Sequence, residues 1–234
     1  SIRCKGVSSI KYGTTEEGVF ISRPNRFIAK VMVNGREETV HVKNTGRCRE
    51  LLPQGARVIL EKAPEGSGRK TQFDLIAVYK NGMLINMDSQ SPNKAAMEFI
   101  PRLFENVTYI RPETVFGSSR FDFYIEAGDR KIFMEVKGCT LEDNGVCRFP
   151  DAPTERGLKH INELVTAAKS GYEAYILFVI QMEKAKYFTP NRDTHPQFAD
   201  ALKAASEKGV NVLAYTCTVT PDSMEIDKPC KIIL

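Results

Sequence analysis

The chain has 234 residues, of which 42% are hydrophobic and 26% are charged, and its net charge at neutral pH is +4. This composition excludes an intrinsically disordered chain and is typical of a globular protein with one large domain or two small ones. The longest apolar run, at 174–180, is far too short to span a bilayer, so we expect no membrane segment.

The charge is unevenly distributed along the chain. Residues 1–81 contain 15 Lys and Arg against 8 Asp and Glu, a surplus of +7, whereas residues 82–234 contain 18 against 21, a balance of −3. A basic amino-terminal part suits a polyanionic partner, and an acidic remainder suits a bound cation. The alternative is that the surplus positive charge serves only solubility.

The amino-terminal third predicts five short strands, at 19–21, 26–33, 38–42, 57–62 and 72–79. Each is rich in β-branched and aromatic residues, and turns rich in Gly, Asn and Pro separate them. Five short strands in about eighty residues are typical of a small barrel of the OB-fold type. Since such barrels bind nucleic acid through basic loops, Arg47 and Arg49, beside a predicted turn, are candidate DNA-binding residues.

Asn81-Gly82 marks the predicted domain boundary, which gives an OB-like domain at 1–81 and a second domain at 82–234. The second domain is predicted to contain helices at 93–104 and from about 155 to 170, the latter capped by Asp151 or Thr154. A buried strand at 173–180, a helix ending at 208–209 and a strand at 211–219 follow. This order predicts an α/β fold, mixed α+β, with a central mixed sheet flanked by helices.

The most informative segment is a predicted hairpin at 120–137, with a two-residue turn at Gly128-Asp129. In this register Phe121 pairs with Val136, Phe123 with Met134 and Ile125 with Ile132 on an apolar face. The other face pairs Arg120 with Lys137, Asp122 with Glu135, Tyr124 with Phe133 and Glu126 with Lys131. A slip of one residue would scramble both faces, so the pattern favours this register.

Asp122 opposite Glu135 is a like-charge pair, which destabilises a sheet unless a cation compensates it. Carboxylates are preferred ligands of Mg²⁺ and Mn²⁺, and Lys137 points to the same face as Glu135. Two acids and an ammonium group are the groups that metal-assisted cleavage of a phosphodiester requires. The alternative is a charged strand end at which Arg120 and Lys137 screen the two acids.

Arg156 and His160 lie at i and i+4 and therefore share one face of the second predicted helix. We expect both to project towards the cleft of Lys137 and to contact phosphate or to support the metal ligands. The alternative is a purely structural role for both.

No nucleotide-binding glycine loop is present, so no nucleotide cofactor is expected. The six cysteines are scattered and show no zinc spacing. Together with the lack of a recognisable export signal, they predict a cytoplasmic protein with reduced, mostly buried thiols. The sequence leaves the oligomeric state open, and a dimer is compatible with it.

Four strings of residues resemble the sugar fermentation stimulation protein family. They are Asn44-Thr-Gly46, Arg120-Phe-Asp-Phe, Met134-Glu-Val-Lys137 and the long run that starts Phe149-Pro-Asp-Ala-Pro-Thr-Glu-Arg-Gly-Leu-Lys-His160 and ends at Leu164. The resemblance covers nearly the whole chain. It implies an OB-like domain joined to a domain of the PD-(D/E)XK nuclease fold, with DNA binding as the activity.

The resemblance also assigns site residues. Asp122 takes the place of the motif aspartate, Glu135 and Lys137 take those of its acid and lysine, and Phe121 replaces the motif proline. A further acid from the first helix completes many such metal sites, and Glu98 is the first candidate for it, with Glu113 as a competitor. Two functions follow: a Mg²⁺- or Mn²⁺-dependent deoxyribonuclease, or a non-catalytic DNA-binding regulator of sugar-metabolism genes on a nuclease scaffold.

Overall fold

The computed structural model of the protein describes residues 10–234. Its strands and helices are numbered below in chain order. Cys4, expected to be a buried thiol, lies outside the described residues.

A six-stranded sheet near the amino terminus closes five of its strands into a barrel, and the sixth extends the sheet. Its strands are β2 (Thr15–Ser22), β3 (Ile28–Val33), β4 (Arg36–Val42), β5 (Arg57–Lys62), β6 (Phe73–Lys80) and β7 (Met83–Asn86), in the order β4-β3-β2-β5-β6-β7. The barrel closes where β4 pairs with β6 at His41/Asp74 and Val42/Leu75. The predicted OB-like barrel is confirmed, and the five predicted strands lie within or overlap β2 to β6.

The second sheet has seven strands and is mixed. It contains β1 (Ile10–Lys11), β8 (Val107–Phe116), β9 (Ser119–Ala127), β10 (Arg130–Cys139), β13 (Glu173–Ile180), β15 (Val210–Thr220) and β16 (Ser223–Pro229), in the order β1-β16-β15-β13-β10-β9-β8. Strands β10, β13 and β15 are parallel, and the other pairings are antiparallel. The predicted α/β fold with a central mixed sheet is confirmed.

Helices cover both faces of this sheet. On one face, α1 (Ser91–Leu103) buries Ala96, Phe99 and Ile100 against apolar residues of β9 and β10. On the other face, α2 (Glu155–Lys169) and α3 (Pro196–Glu207) pack on β13 and β15 through residues such as Ile161 and Leu202. The centre of the sheet is therefore buried on both sides, which explains why the strand predicted at 173–180 is apolar from Ala174 onwards.

Pairings also cross the predicted domain boundary. Strand β1 joins β16 in the second sheet, and β7 joins β6 in the barrel, although β1 precedes residue 81 and β7 follows it. A further small sheet contains β11 (Leu141–Asp143), β12 (Val146–Phe149) and β14 (Tyr187–Pro190). The division at 81/82 stays a prediction.

The described cysteines match the expectation of free, mostly buried thiols. The five described cysteines are free thiols: Cys48, Cys139, Cys147 and Cys217 are buried, and Cys230 is half-buried. From residue 10 to residue 234, no helix has the length and apolar character needed to cross a membrane.

Candidate metal and phosphate site

The predicted hairpin register holds for five pairs and then ends. Residues pair as predicted from Arg130/Ala127 to Met134/Phe123, but within the described chain the ladder does not include the last three predicted pairs. The prediction of Asp122 directly opposite Glu135 was therefore wrong. The reason is that β10 continues beside β13 as far as Cys139/Ile180, whereas β9 leaves it beyond Phe123.

The side chain of Asp122 occupies the point where the two strands separate. Its Oδ2 accepts a hydrogen bond of 2.7 Å from the backbone N–H of Val136, which would otherwise lack a partner at the end of the ladder. Its Oδ1 accepts a bond of 2.9 Å from Nδ2 of Asn93, near the start of α1. Burial, and then the negative charge of Glu135, raise the pKa of Asp122.

Glu135 is 2% exposed, which is unusual for a carboxylate. Its Oε1 lies 2.8 Å from Nζ of Lys137 and 2.5 Å from Nδ1 of His160. Its Oε2 is buried and has no hydrogen-bond partner among the described residues. Burial acts to raise the pKa of Glu135, but the His160 hydrogen bond and the Lys137 charge outweigh it, and the pKa lies below its ordinary value.

The contact with Glu135 fixes the tautomer of His160. An unprotonated Nδ1 at 2.5 Å would place a lone pair against a carboxylate oxygen, so Nδ1 must carry the hydrogen and donate it to Glu135. Nδ1 therefore cannot accept from Lys137 Nζ, 3.4 Å away, and the ammonium group bonds to Glu135 instead. His160 is 5% exposed and also packs on Phe121, so its ring supports Glu135 from behind.

Helix α2 begins beside this carboxylate. Thr154 caps the helix, because its Oγ1 accepts a hydrogen bond of 2.9 Å from the N–H of Gly157. Of the two predicted caps, the structure uses Thr154 rather than Asp151. The cap fixes the first turn and leaves Arg156 exposed at the edge of the site.

A cleft of about 500 Å³ brings these groups together. Asp122, Glu135, Lys137 and Arg156 line it, as do Asn93 and Lys94 of α1. The three basic side chains supply the charge that a phosphate group requires beside two acids. The predicted convergence of Arg156 and Lys137 on one cleft thus agrees with the structure, whereas His160 stands behind Glu135.

Glu98 and Glu113 lie on the other side of Asp122. Both line a neighbouring cleft of about 570 Å³, which Asp122 also borders but Glu135 does not. Burial and the charge of Glu225 raise the pKa of Glu98. Nowhere between residues 10 and 234 do three His, Cys, Asp or Glu side chains converge as a metal site, so the structure does not bring Glu98 together with Asp122 and Glu135.

Arg47 and Arg49 lie on the barrel in the loop after β4, and both are exposed. The guanidinium group of Arg23 holds this loop by donating to the carbonyl oxygens of Asn44, Gly46 and Arg47 at 2.5–2.7 Å. The two arginines are therefore presented to solvent from a fixed backbone.

Two models of protein families match the chain. "Sugar fermentation stimulation protein RE domain" matches residues 90–223, and "SfsA N-terminal OB domain" matches residues 21–87. The chain belongs to the sugar fermentation stimulation protein family. The resemblance seen in the motifs is thereby confirmed over most of the chain.

Relatives in this family match nearly end to end. A sugar fermentation stimulation protein homolog of Desulfitobacterium hafniense (strain Y51) is 57% identical over 217 residues, which cover 92% of this chain and 95% of the relative. A homolog of Clostridium beijerinckii is 52% identical over 227 residues, 96% of this chain and 100% of the relative. A solved structure, the Pyrococcus furiosus SfsA in complex with Ca²⁺, has a TM-score of 0.86 and 27% identity, and it covers 98% of this chain and 100% of its own.

Two residues of the candidate site, Asn93 and Lys94, were not predicted from the sequence. Asn93 and Lys94 lie in the first turn of α1, and Asn93 is the residue of that helix that contacts Asp122. The family pattern indicates a third acid on this helix, and Glu98, the first candidate for it, lies further along the helix. The sequence shows only that a polar pair lies at the start of a helix. The packing of α1 on the sheet determines that this pair lies beside Asp122.

Proposed function

We propose that the protein binds DNA and hydrolyses its phosphodiester bonds with Mg²⁺ or Mn²⁺ at Asp122, Glu135 and Lys137. The observation that carries this proposal is the state of Glu135. One of its oxygens accepts from two donors, and the other is buried near a second carboxylate with no hydrogen-bond partner among residues 10–234. A buried acceptor left unsatisfied costs about 1–3 kcal/mol, so the arrangement favours a ligand that the protein itself does not supply.

A hard divalent cation is a suitable binding partner for the Oε2 atom of Glu135, which has no hydrogen-bond partner among the described residues. Asp122 and Glu135 would supply oxygen ligands. Burial, and then the like charge of Glu135, raise the pKa of Asp122, and a cation would offset that like charge. Two carboxylates are sufficient for Mg²⁺, which keeps several waters and takes further oxygens from substrate phosphate. The Pyrococcus furiosus relative was solved in complex with Ca²⁺, a cation that prefers oxygen ligands, which supports the proposal of a cation site. Glu98 and Glu113 remain candidates for a contribution from the adjoining cleft.

A cation held by Asp122 and Glu135 would supply activation of a water molecule and neutralise charge on the phosphate. The protein supplies the rest of the site. Lys137 is held beside Glu135 with its side chain 15% exposed, so it lies at the wall of the cleft with access to a phosphate oxygen or an attacking water. Arg156 and Lys94 border the same cleft and attract the phosphate backbone.

DNA binding rests on the basic amino-terminal part. Its surplus of +7 includes Arg47 and Arg49, which are exposed on a loop held in place by Arg23. Arginine contacts to phosphate fix the position of DNA and carry no base information, so binding is expected to be largely independent of sequence. His160, buried behind Glu135, contributes by orienting that carboxylate.

A second function is a DNA-binding regulator of sugar-metabolism genes that has lost turnover. Two observations favour it: the described residues 10–234 contain no cluster of three metal-ligating side chains, and Lys137 is held in an ion pair with Glu135. In that case the acids and the lysine would stabilise the sheet, and the basic surfaces alone would act.

The compartment we propose is the cytoplasm. All five described cysteines are free thiols, and four of them are buried. Reduced thiols persist in a reducing compartment.

Strand cleavage by Lys137→Ala distinguishes the enzyme from the regulator. With Mn²⁺ and a labelled oligonucleotide, the unmodified protein should cut, and Lys137→Ala should bind DNA yet cut at least tenfold more slowly. Lys131→Ala, an exposed lysine of the same strand, is the matched control and should cut normally. No cutting by the unmodified protein with either ion, together with normal DNA binding by Lys137→Ala, would reject the nuclease and favour the regulator.

A further inference from the structure

Phe27 is an exposed aromatic ring on a fixed piece of backbone. Its N–H donates to Oδ1 of Asn25 at 2.8 Å, and its carbonyl accepts from the N–H of Val42 at 2.8 Å, yet its side chain is 49% exposed. The guanidinium carbon of Arg26 lies 5.0 Å from the ring centroid. A single exposed apolar residue is ordinary, but the backbone that carries this ring is hydrogen-bonded on both sides, and the guanidinium group of Arg26 lies against the ring.

Arg23 joins the segment of Phe27 to the loop of Arg47 and Arg49. Besides the carbonyl oxygens of that loop, its guanidinium group donates to the carbonyl oxygen of Arg26 at 2.7 Å. Arg26, Phe27, Arg47 and Arg49 are all exposed, and we call these four residues the Phe27 patch. Within residues 10–234 its three arginines form no salt bridge, although the acid Glu50 is adjacent in sequence to Arg49.

We propose that the Phe27 patch binds single-stranded DNA, with a base stacked on the Phe27 ring and the arginines on the neighbouring phosphates. An aromatic ring among cationic side chains is the combination with which OB folds hold single strands. In a duplex the faces of the bases are covered by their neighbours, so a surface ring finds none to stack on. The arginines alone would bind the phosphates of single-stranded or duplex DNA, and stacking on Phe27 favours the single strand.

Two clefts that share Ser89 lie between the loop of the patch and the acids Asp122 and Glu135. Asn44 and Gly46, which precede Arg47, line a narrow cleft of about 240 Å³ between the barrel and the second sheet, together with Arg148 and Ser89. Ser89 also lines the cleft of Asp122 and Glu135. A strand held at the patch therefore has a route to that site. Binding at the patch rests on the DNA binding proposed above, and the route rests in addition on the proposed cleavage.

The chain contains no tryptophan, which allows a direct optical test. Phe27→Trp places a single tryptophan in the patch, and Tyr109→Trp places one at a ring of similar exposure, 44%, on β8. Titration with a twenty-nucleotide oligo-dT in EDTA should quench the first fluorophore and leave the second unchanged. A blunt duplex of the same length should quench neither. Quenching of neither variant by oligo-dT, or equal quenching of the first by duplex, would overturn the proposal.

Affinity measurements with the same DNA provide the second arm. Phe27→Ala should weaken binding of oligo-dT roughly 5- to 150-fold and change duplex binding less than twofold, because stacking contributes only to the single strand. Phe27→Tyr should restore binding, Phe27→Leu should not, and Tyr109→Ala is the control. Preference for oligo-rU over oligo-dT would reject DNA as the ligand.

The two proposals can fail separately. Quenching without any cleavage in Mn²⁺ would sustain the Phe27 patch and reject the nuclease. Cleavage by a protein whose Phe27→Ala variant binds oligo-dT normally would reject the patch and sustain the nuclease.

Discussion

Asp122 completes the hydrogen bonding of β10 with its side chain, because its Oδ2 accepts from the N–H of Val136 at the point where β9 leaves the ladder. The acid is therefore fixed at the fork between two strands. On β10, Glu135 comes directly before Val136. Both carboxylates line the same cleft because the strands separate, and not because they are cross-strand partners.

Ion-dependent stability is the first prediction. Binding of Mg²⁺ or Mn²⁺ to the folded state should raise the melting temperature as the ion concentration increases. At 100 times Kd, the free energy of unfolding should rise by about 2.7 kcal/mol. Asp122→Asn and Glu135→Gln should each abolish this gain. Asp122→Asn should be at least as stable as the parent in the absence of ion, since it removes a charge whose burial, and whose repulsion by Glu135, raise the pKa of Asp122. Thermal denaturation over an ion series measures both effects.

The control for this series is Glu207→Gln, an exposed acid at the end of α3. It should retain the full ion-dependent gain. An equal loss in the control, or a normal gain in Glu135→Gln, would place the cation elsewhere.

Asn93→Asp should strengthen ion binding. Nδ2 of Asn93 lies 2.9 Å from Oδ1 of Asp122. The substitution therefore places a third carboxylate next to Asp122, in the cleft that Glu135 also lines. Extra negative charge should lower the stability of the ion-free protein and raise Mn²⁺ affinity by about tenfold or less, which isothermal titration measures. Asn162→Asp, on the exposed face of α2, is the matched control. Unchanged affinity in Asn93→Asp would argue against a cation at Asp122.

His160→Ala should lower the free energy of unfolding by about 2–4 kcal/mol. The substitution leaves a cavity beside Phe121 and removes a donor from the buried carboxylate of Glu135. His160→Gln supplies an amide donor again and should recover part of the loss, whereas Asn162→Ala should change stability little. Urea denaturation measures all three. A loss below 0.5 kcal/mol for His160→Ala, roughly the level of an ordinary surface substitution, would show that the contact with Glu135 contributes little.

Salt dependence tests the basic loop. Replacing Arg47 and Arg49 together by Ala should weaken binding to every sequence and reduce the slope of log affinity against log salt by roughly 1.4–1.8, since each lost phosphate contact removes about 0.7–0.9. Stability should hardly change because both side chains are exposed. A steep slope retained by the double variant would locate the DNA surface elsewhere, and strong discrimination between unrelated duplexes would contradict sequence-independent binding.

The sequence predicts the barrel and most of the hairpin because alternation of apolar and polar residues specifies strand register. It fails from Asp122 onwards, where the fork depends on β13 pairing with β10, an interaction between segments distant in sequence. Phe121 illustrates the failure: it was predicted on the face of Phe123, but it packs with Phe133 and His160 on the α2 side.

Strand β8 was not predicted because most of its residues are exposed at the edge of the sheet, and an edge strand shows little apolar alternation. The small sheet of β11, β12 and β14 was missed because strands of three or four residues form only in the context of their neighbours. Asn93 was missed for a similar reason: its contact with Asp122 depends on how α1 packs on the sheet.

The most direct test of the metal site is anomalous scattering from crystals soaked in Mn²⁺. A peak is predicted in the cleft of Lys137, within coordination distance of carboxylate oxygens of Asp122 and Glu135. Glu135→Gln crystals soaked in the same way should lose it. A peak between Glu98 and Glu113 instead, or no peak near Glu135 at saturating Mn²⁺, would contradict the account.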